Sequence, residues 1–188
     1  MGAQKQRSDI SGQKGIVVWL TGLPGSGKST LAAELETRLL NLNRLSYILD
    51  GDIVRKGLNS DLGFSDADRN ENIRRVAEVA AILKDASVIA IVAFISPFIK
   101  MREFARTRAG NDNFMEVYVK ASLETCIRRD PKGMYKKAMS KQIADFTGIS
   151  SAYEEPASPD LVIDTEKLSV GESADLLLSA VLKKLKNI

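Results

Sequence analysis

The chain has 188 residues, of which 44% are hydrophobic and 27% charged, enough for one domain with a substantial core and too few for two ordinary enzymatic domains. A formal net charge of +3 from 27 basic and 24 acidic residues does not by its sign indicate nucleic-acid binding, and no apolar run approaches the ~18 residues of a membrane span. Cys126 is the only cysteine, which excludes an intramolecular disulfide, and the absence of histidine removes the usual activator of a catalytic thiol.

At the N-terminus, "MGAQKQRSDISGQK" has no apolar stretch like that of a secretory signal, and Gln6 stands where a myristoylation signal needs Ser or Thr. The expectation is a cytoplasmic protein with a flexible segment over residues 1–13. The run "GIVVWL" then reads as a strand and leads into "GLPGSGKST", and "KSTLAAELETRLL" follows with Leu31, Leu35, Leu39 and Leu42 at helical spacing. This is the G-x-x-x-x-G-K-S phosphate loop in the strand, loop and helix setting it requires. Gly22, Gly25 and Gly27, with Leu23, Pro24 and Ser26 between them, bring backbone N–H groups toward anionic oxygens. Lys28 adds a mobile positive charge, and Ser29 or Thr30 a hydroxyl within reach of Mg²⁺.

"LSYIL" is a second strand, and "LDGDIVRKGLNSDLGF" begins at its end. In an open parallel sheet the ligand crevice lies beyond the carboxyl ends of the strands, so Asp50 and Asp52 emerge beside the phosphate loop. Two carboxylates and Arg55 suit a site that holds Mg²⁺, orients or deprotonates a hydroxyl and steadies an anion. Without histidine, direct proton acceptance falls to a carboxylate. Asp52, beyond the turn, is the better placed, while Asp50 either caps or positions the loop. "SDAD" at 65–68 caps a helix around 70–85, whose Ile73, Val76, Ala77, Ala80 and Leu83 make an apolar stripe. Arg69 and Asn72 share one face at its start. They suit phosphate or sulfate oxygens, although Arg69 serves equally well as a surface ion-pair partner.

Further strands follow at "SVIAIVAFI", "FMEVYVK" and "DLVID", with helices around 99–109, 121–129 and 172–186. Cys126 falls in the second of these helices as a packed thiol. Lys132, Lys136, Lys137 and Lys141 in "DPKGMYKKAMSK" form either a solvated surface or a lid over an anionic substrate. Phe64 and Phe146, aromatics in polar surroundings, either anchor the chain or stack on a purine. Alternating strands and helices predict an α/β fold, a parallel five-stranded sheet with helices on both faces. The residues alone reach an ATP-dependent small-molecule kinase. A nucleotide-dependent switch and a kinase for another small alcohol share the phosphate loop.

Taken together, "GLPGSGKST", "LDGDIVRKGLNSDLGFSDADRNENIRRVAEVA", "AFISPF", "RDPKGMYKKA", "FTGISSAYEEP" and "LVIDT" closely resemble adenylylsulfate kinases, P-loop enzymes that phosphorylate the 3′-hydroxyl of adenosine 5′-phosphosulfate (APS). The resemblance spans about residues 14–186. It implies that Lys28 and Ser29 act on ATP phosphates and Mg²⁺, with Asp50 beside the metal, and that Asp52 positions or activates the acceptor hydroxyl. Arg55, Arg69 and Asn72 would hold the phosphosulfate and sugar, Phe64 and Phe146 would enclose the adenine, and Lys132 would belong to a small helical lid at about 131–147. Ile95 and Ser96 of "ISPF" would line the substrate. Ser96 is grouped with Lys28 and Asp52 as the counterpart of a serine that carries phosphate in some members, although direct transfer needs no phosphoenzyme. The resemblance further implies a homodimer and functional coupling to ATP sulfurylase, with no nucleic-acid or membrane partner. In two departures from the family pattern, Lys56 replaces a histidine and Ile99 an arginine, leaving Arg102 and Arg106 as the nearby anion donors.

Overall fold

The computed structural model describes residues 2–187. In chain order it contains α1 (Gly2–Ser11), β1 (Val17–Thr21), α2 (Lys28–Asn41), β2 (Ser46–Asp50), α3 (Gly51–Val54), α4 (Asp66–Asp85) and β3 (Ile89–Ala93). Then come α5 (Ile99–Ala109), β4 (Phe114–Lys120), α6 (Leu123–Arg129), α7 (Met134–Met139), β5 (Leu161–Asp164) and α8 (Val170–Lys186).

The strands form one parallel sheet in the order β2-β3-β1-β4-β5. Every residue of the central β1 is buried, as expected where helices cover both faces. Side chains alternate across it: Val18 and Leu20 pack with Leu31, Leu35 and Leu39 of α2 and Leu177 of α8, whereas Val17 and Trp19 pack with Val76 of α4 and Met101 of α5. The chain thus leaves β1 toward one face and its neighbour β3 toward the other. The crevice between their carboxyl ends is where such sheets bind ligands.

Local signals account for the helix boundaries. α4 begins at Asp66, before the periodic stripe, because Ser65 Oγ accepts the Asp68 N–H at 3.2 Å. α8 begins at Val170, two residues earlier than its apolar spacing suggests, through a reciprocal Ser169–Glu172 capping box. Within the N-terminal segment expected to be flexible, Gly2–Ser11 is helical. It buries no side chain, and Gln4 Nε2 and Arg7 Nε donate to Asp85 Oδ1 and O at 3.3 and 3.1 Å. None of the described helices is long and apolar enough to cross a membrane.

Candidate active site

The phosphate loop runs from the end of β1 into α2. Gly22 has φ 153°, and a Cβ there would lie 2.4 Å from the Val119 carbonyl oxygen on β4, so only glycine lets the loop leave the sheet at this point. Gly27 (φ 104°) precedes α2, which starts without a side-chain cap, leaving its first N–H groups for an anion. Lys28 is buried, and its Nζ donates to the carbonyls of Gly22 and Leu23 at 2.9 and 2.7 Å. Burial pulls its pKa down to about 8. The ammonium therefore stands ready beside the phosphate position, with only neutral partners to exchange for phosphate oxygens.

Ser29, and not the neighbouring Thr30, turns toward β2, where its Oγ donates to Asp50 Oδ2 at 2.6 Å. Asp50 Oδ1 accepts the Asp52 N–H at 2.9 Å and so caps α3. Asp52 projects from the first turn of that helix and forms an exposed ion pair with Lys132. Lys132 lies in the turn before α7, whose start is fixed by Asp130 accepting the N–H groups of Tyr135 and Lys136, both at 3.0 Å. A group of residues far apart in sequence, Lys28, Ser29, Asp50, Asp52 and Lys132, thus converges at the sheet edge.

A second group gathers around Arg69. Its Nε donates to the Phe64 carbonyl at 2.9 Å and its Nη1 to Thr147 Oγ1 at 2.8 Å, while Nη2 bonds the Asp145 carbonyl. One guanidinium therefore ties both aromatic segments to α4. The rings themselves differ. Phe64 is 59% exposed with the Arg55 guanidinium 4.4 Å from its ring centre. Phe146 is buried and meets Tyr135 edge-on at 4.9 Å. Arg55 donates to the carbonyls of Leu62 and Gly63 at 3.2 and 3.0 Å. Burial and the Arg69 charge lower its pKa, with Asp68 opposing. Among the described residues neither Arg55 nor Arg69 has a carboxylate partner within ion-pair distance. Two neighbouring cations without an ion-pair partner create a place for an anion. Asn72, one turn along α4, is buried against Asn59.

Other residues singled out in the sequence are engaged within the fold. Ser96 is sealed at 1% exposure, with its Oγ accepting the Trp19 indole N–H at 3.0 Å and its carbonyl accepting from Arg102 at 2.7 Å. The Ser96 hydroxyl is thus engaged by Trp19 and helps hold the loop. The Ile95 carbonyl likewise accepts Thr21 Oγ1 at 2.7 Å. Arg102 and Arg106 do not replace a missing anion donor either. Arg102 is consumed by Glu116 Oε1 at 2.7 Å and the Glu154 carbonyl at 2.8 Å, and Arg106 by Asp160 Oδ2 at 2.7 Å. Cys126 is a packed thiol whose pKa burial raises. Sequence reasoning missed Tyr153, which bonds Thr21 Oγ1 at 3.0 Å and with Leu23, Gly148 and Glu155 lines a cavity of about 470 Å³. Its signal was the one that marked Phe64, an aromatic in a polar loop. Tyr135 was missed as well; its hydroxyl donates to the Pro24 carbonyl at 2.9 Å and ties α7 to the phosphate loop.

The sequence profile of the adenylylsulphate kinase family matches residues 14–164. This chain belongs to the adenylylsulfate kinase family. The adenylyl-sulfate kinase of Staphylococcus haemolyticus is 51% identical over 184 residues, which cover 98% of this chain and 90% of that protein. The solved structure of the Mycobacterium tuberculosis APS kinase CysC in complex with AMPPNP and APS is 44% identical, with a TM-score of 0.87 over 90% of this chain and 99% of the other. A hexameric APS kinase from Thiobacillus denitrificans is 32% identical with a TM-score of 0.71, covering 95% of this chain and 31% of that one. Both molecules held by the Mycobacterium tuberculosis enzyme, AMPPNP and APS, are anions.

Proposed function

We propose that the protein transfers the γ-phosphoryl group of ATP to the 3′-hydroxyl of adenosine 5′-phosphosulfate, giving ADP and 3′-phosphoadenosine 5′-phosphosulfate, in sulfate activation. The observation that carries this reading is that Arg55, one helical turn on from Asp52, lies over the exposed ring of Phe64 while Arg69 on α4 bonds the Phe64 carbonyl, both arginines without an ion-pair partner among the described residues. The arginines suit the phosphosulfate, and the ring suits the adenine. Membership of the family and the likeness to an enzyme holding AMPPNP and APS support the same pair of substrates.

In the reaction the 3′-oxygen bonds to the γ-phosphorus as the bond to the β–γ bridging oxygen breaks, and ADP leaves with that electron pair. Positioning and charge stabilisation do most of the work in such transfers. The loop N–H groups and Lys28 hold the donor phosphates, with Lys28 moving from the Gly22 and Leu23 carbonyls onto them. Asp52 accepts the hydrogen bond of the 3′-hydroxyl and receives its proton, while Lys132 moves from Asp52 to the substrate anions as the lid over about 131–147 closes. The Ser29 hydroxyl and Asp50 carboxylate are hard oxygen donors, a set that fits Mg²⁺ held by one or two protein oxygens together with phosphates. Bound there, the ion would neutralise charge on the donor's phosphate oxygens.

The reading places the enzyme in the cytoplasm as a homodimer, coupled to ATP sulfurylase as the source of adenosine phosphosulfate. The hexameric relative supports self-association. The test is a transfer assay with ATP and Mg²⁺ in which adenosine phosphosulfate competes with AMP, shikimate and gluconate as acceptor. ADP and the 3′-phosphorylated product should form only with adenosine phosphosulfate, and Asp52→Asn should bind ATP but transfer poorly. Turnover independent of adenosine phosphosulfate would overturn the reading.

A further inference from the structure

A buried asparagine pair underlies the acceptor side of the site. Asn59 is fully buried in the turn after α3, where its N–H donates to the Val54 carbonyl at 3.0 Å and its own carbonyl accepts the Leu62 N–H at 3.2 Å. A second tie holds this turn against α4: Arg75 donates to the Leu58 carbonyl at 3.0 Å and, with two nitrogens, to both oxygens of Asp61 at 2.7 and 2.8 Å. The Asn59 side chain is thereby pressed onto α4 beneath Asn72.

Asn59 Nδ2 reaches two acceptors, the backbone carbonyl of Asn72 at 3.4 Å and the Asn72 side-chain Oδ1 at 2.9 Å. A backbone carbonyl can only accept, so the end of Asn59 turned toward α4 must be its NH₂. That NH₂ in turn demands an acceptor from the Asn72 side chain, which sets the Asn72 amide with its oxygen inward. Asn72 Nδ2 then has no protein partner among the described residues, and it is not among the sealed polar atoms. Asn59 Oδ1, by contrast, is sealed and unpartnered. Sealing an unpaired carbonyl works against stability, so an amide at position 59 is a poor choice for folding alone.

We infer that Asn59 is a positioning residue: its NH₂ fixes the polarity of the Asn72 amide so that Asn72 offers N–H donors, and not a carbonyl, to the anionic acceptor substrate. A half-turn about the last torsion of an asparagine exchanges donor and acceptor with almost no change of shape. Unfixed, the same side chain would as readily present a carbonyl dipole that repels an anion. The inference rests on the assignment of Asn72 to substrate binding.

The test is a double-mutant cycle in the full-length chain, measuring kcat and the KM for each substrate, with melting temperature as the check on folding. Asn59→Asp offers acceptor oxygens, draws the Asn72 NH₂ inward and turns its carbonyl outward. The KM for adenosine phosphosulfate should rise about tenfold, with kcat and the KM for ATP within about twofold of wild type. On an Asn72→Ala background the same substitution should raise that KM no further. Asn59→Leu, which removes the donor without adding charge, supplies the cycle if the Asp variant does not fold, with a rise of about threefold. An unchanged KM for adenosine phosphosulfate in the Asn59 variants, a parallel loss in kcat and ATP binding, or effects that multiply in the double variant would each overturn the inference. If Asn72→Ala alone leaves that KM untouched, the assignment of Asn72 to the substrate fails instead.

Discussion

The Ser29 hydroxyl donates to Asp50 Oδ2 at 2.6 Å while the other oxygen of that carboxylate accepts the Asp52 N–H at 2.9 Å. A single side chain thus joins the helix that carries the phosphate loop to the helix that carries the acceptor-side carboxylate. Asp50→Ala should cut turnover about 10–100-fold, the usual effect of losing a group that orients a reacting one, and should raise the Mg²⁺ concentration needed for half-maximal rate. Asp50→Asn keeps a carbonyl for the cap and loses the charge. A normal Mg²⁺ titration for the Asn variant would show that the cap alone matters.

Lys28→Ala should lower kcat about 10²–10³-fold, because it removes a preorganised charge where negative charge shifts in the transition state. The buried ammonium has a pKa near 8, so kcat/KM for ATP, which reports the free enzyme, should fall as pH rises through about 8. Stability should move the other way. Between about 8 and the ordinary lysine value of 10.5, the unfolded chain binds the proton that the folded protein has released, so unfolding free energy increases with pH across that window. Urea melts at several pH values should show this slope in the wild type and lose it in Lys28→Ala.

Phe64 and Phe146 should respond differently to replacement by leucine. Phe64 is 59% exposed, with the Arg55 guanidinium over its ring, so Phe64→Leu should change the melting temperature little and raise the KM for adenosine phosphosulfate only. Phe146 packs edge-on to Tyr135, whose hydroxyl holds the Pro24 carbonyl. Phe146→Leu should therefore cost about 1 kcal/mol of stability and weaken ATP as well. Calorimetry and separate titrations of the two substrates read these effects, and equal behaviour of the two variants would contradict the structural difference.

Ser96→Ala should retain turnover near the wild-type rate and carry its penalty in stability. It strands the Trp19 indole N–H in the core, which costs about 1–3 kcal/mol. Denaturant melts alongside the transfer assay separate the two quantities, and a folded Ser96→Ala protein without activity would restore a chemical role to this hydroxyl.

Strand β1, the phosphate loop and helix α2 were legible from residues 15–42 because glycine placement and apolar period are local properties of the chain. Asp50 and Asp52 could be assigned to the loop's neighbourhood because parallel strands bring all their carboxyl ends to one edge. The tertiary structure alone decided which polar groups were left free. Arg102 and Arg106 carry the charge that an anion site needs, yet Glu116, Asp160 and the carbonyls of Ser96 and Glu154 occupy them. Among the described residues Arg55 and Arg69 have no carboxylate within ion-pair distance and bond carbonyls and a hydroxyl. Phe64 and Phe146 look alike in sequence and part company only when Tyr135 packs against one of them. Asn59 showed nothing of its hold on Asn72 until the turn after α3 folded beneath α4. Periodicity records which face of an element is apolar, whereas a hydrogen bond or an ion pair depends on which distant segment arrives opposite, and that is settled only when the sheet and its crossing helices close around one another.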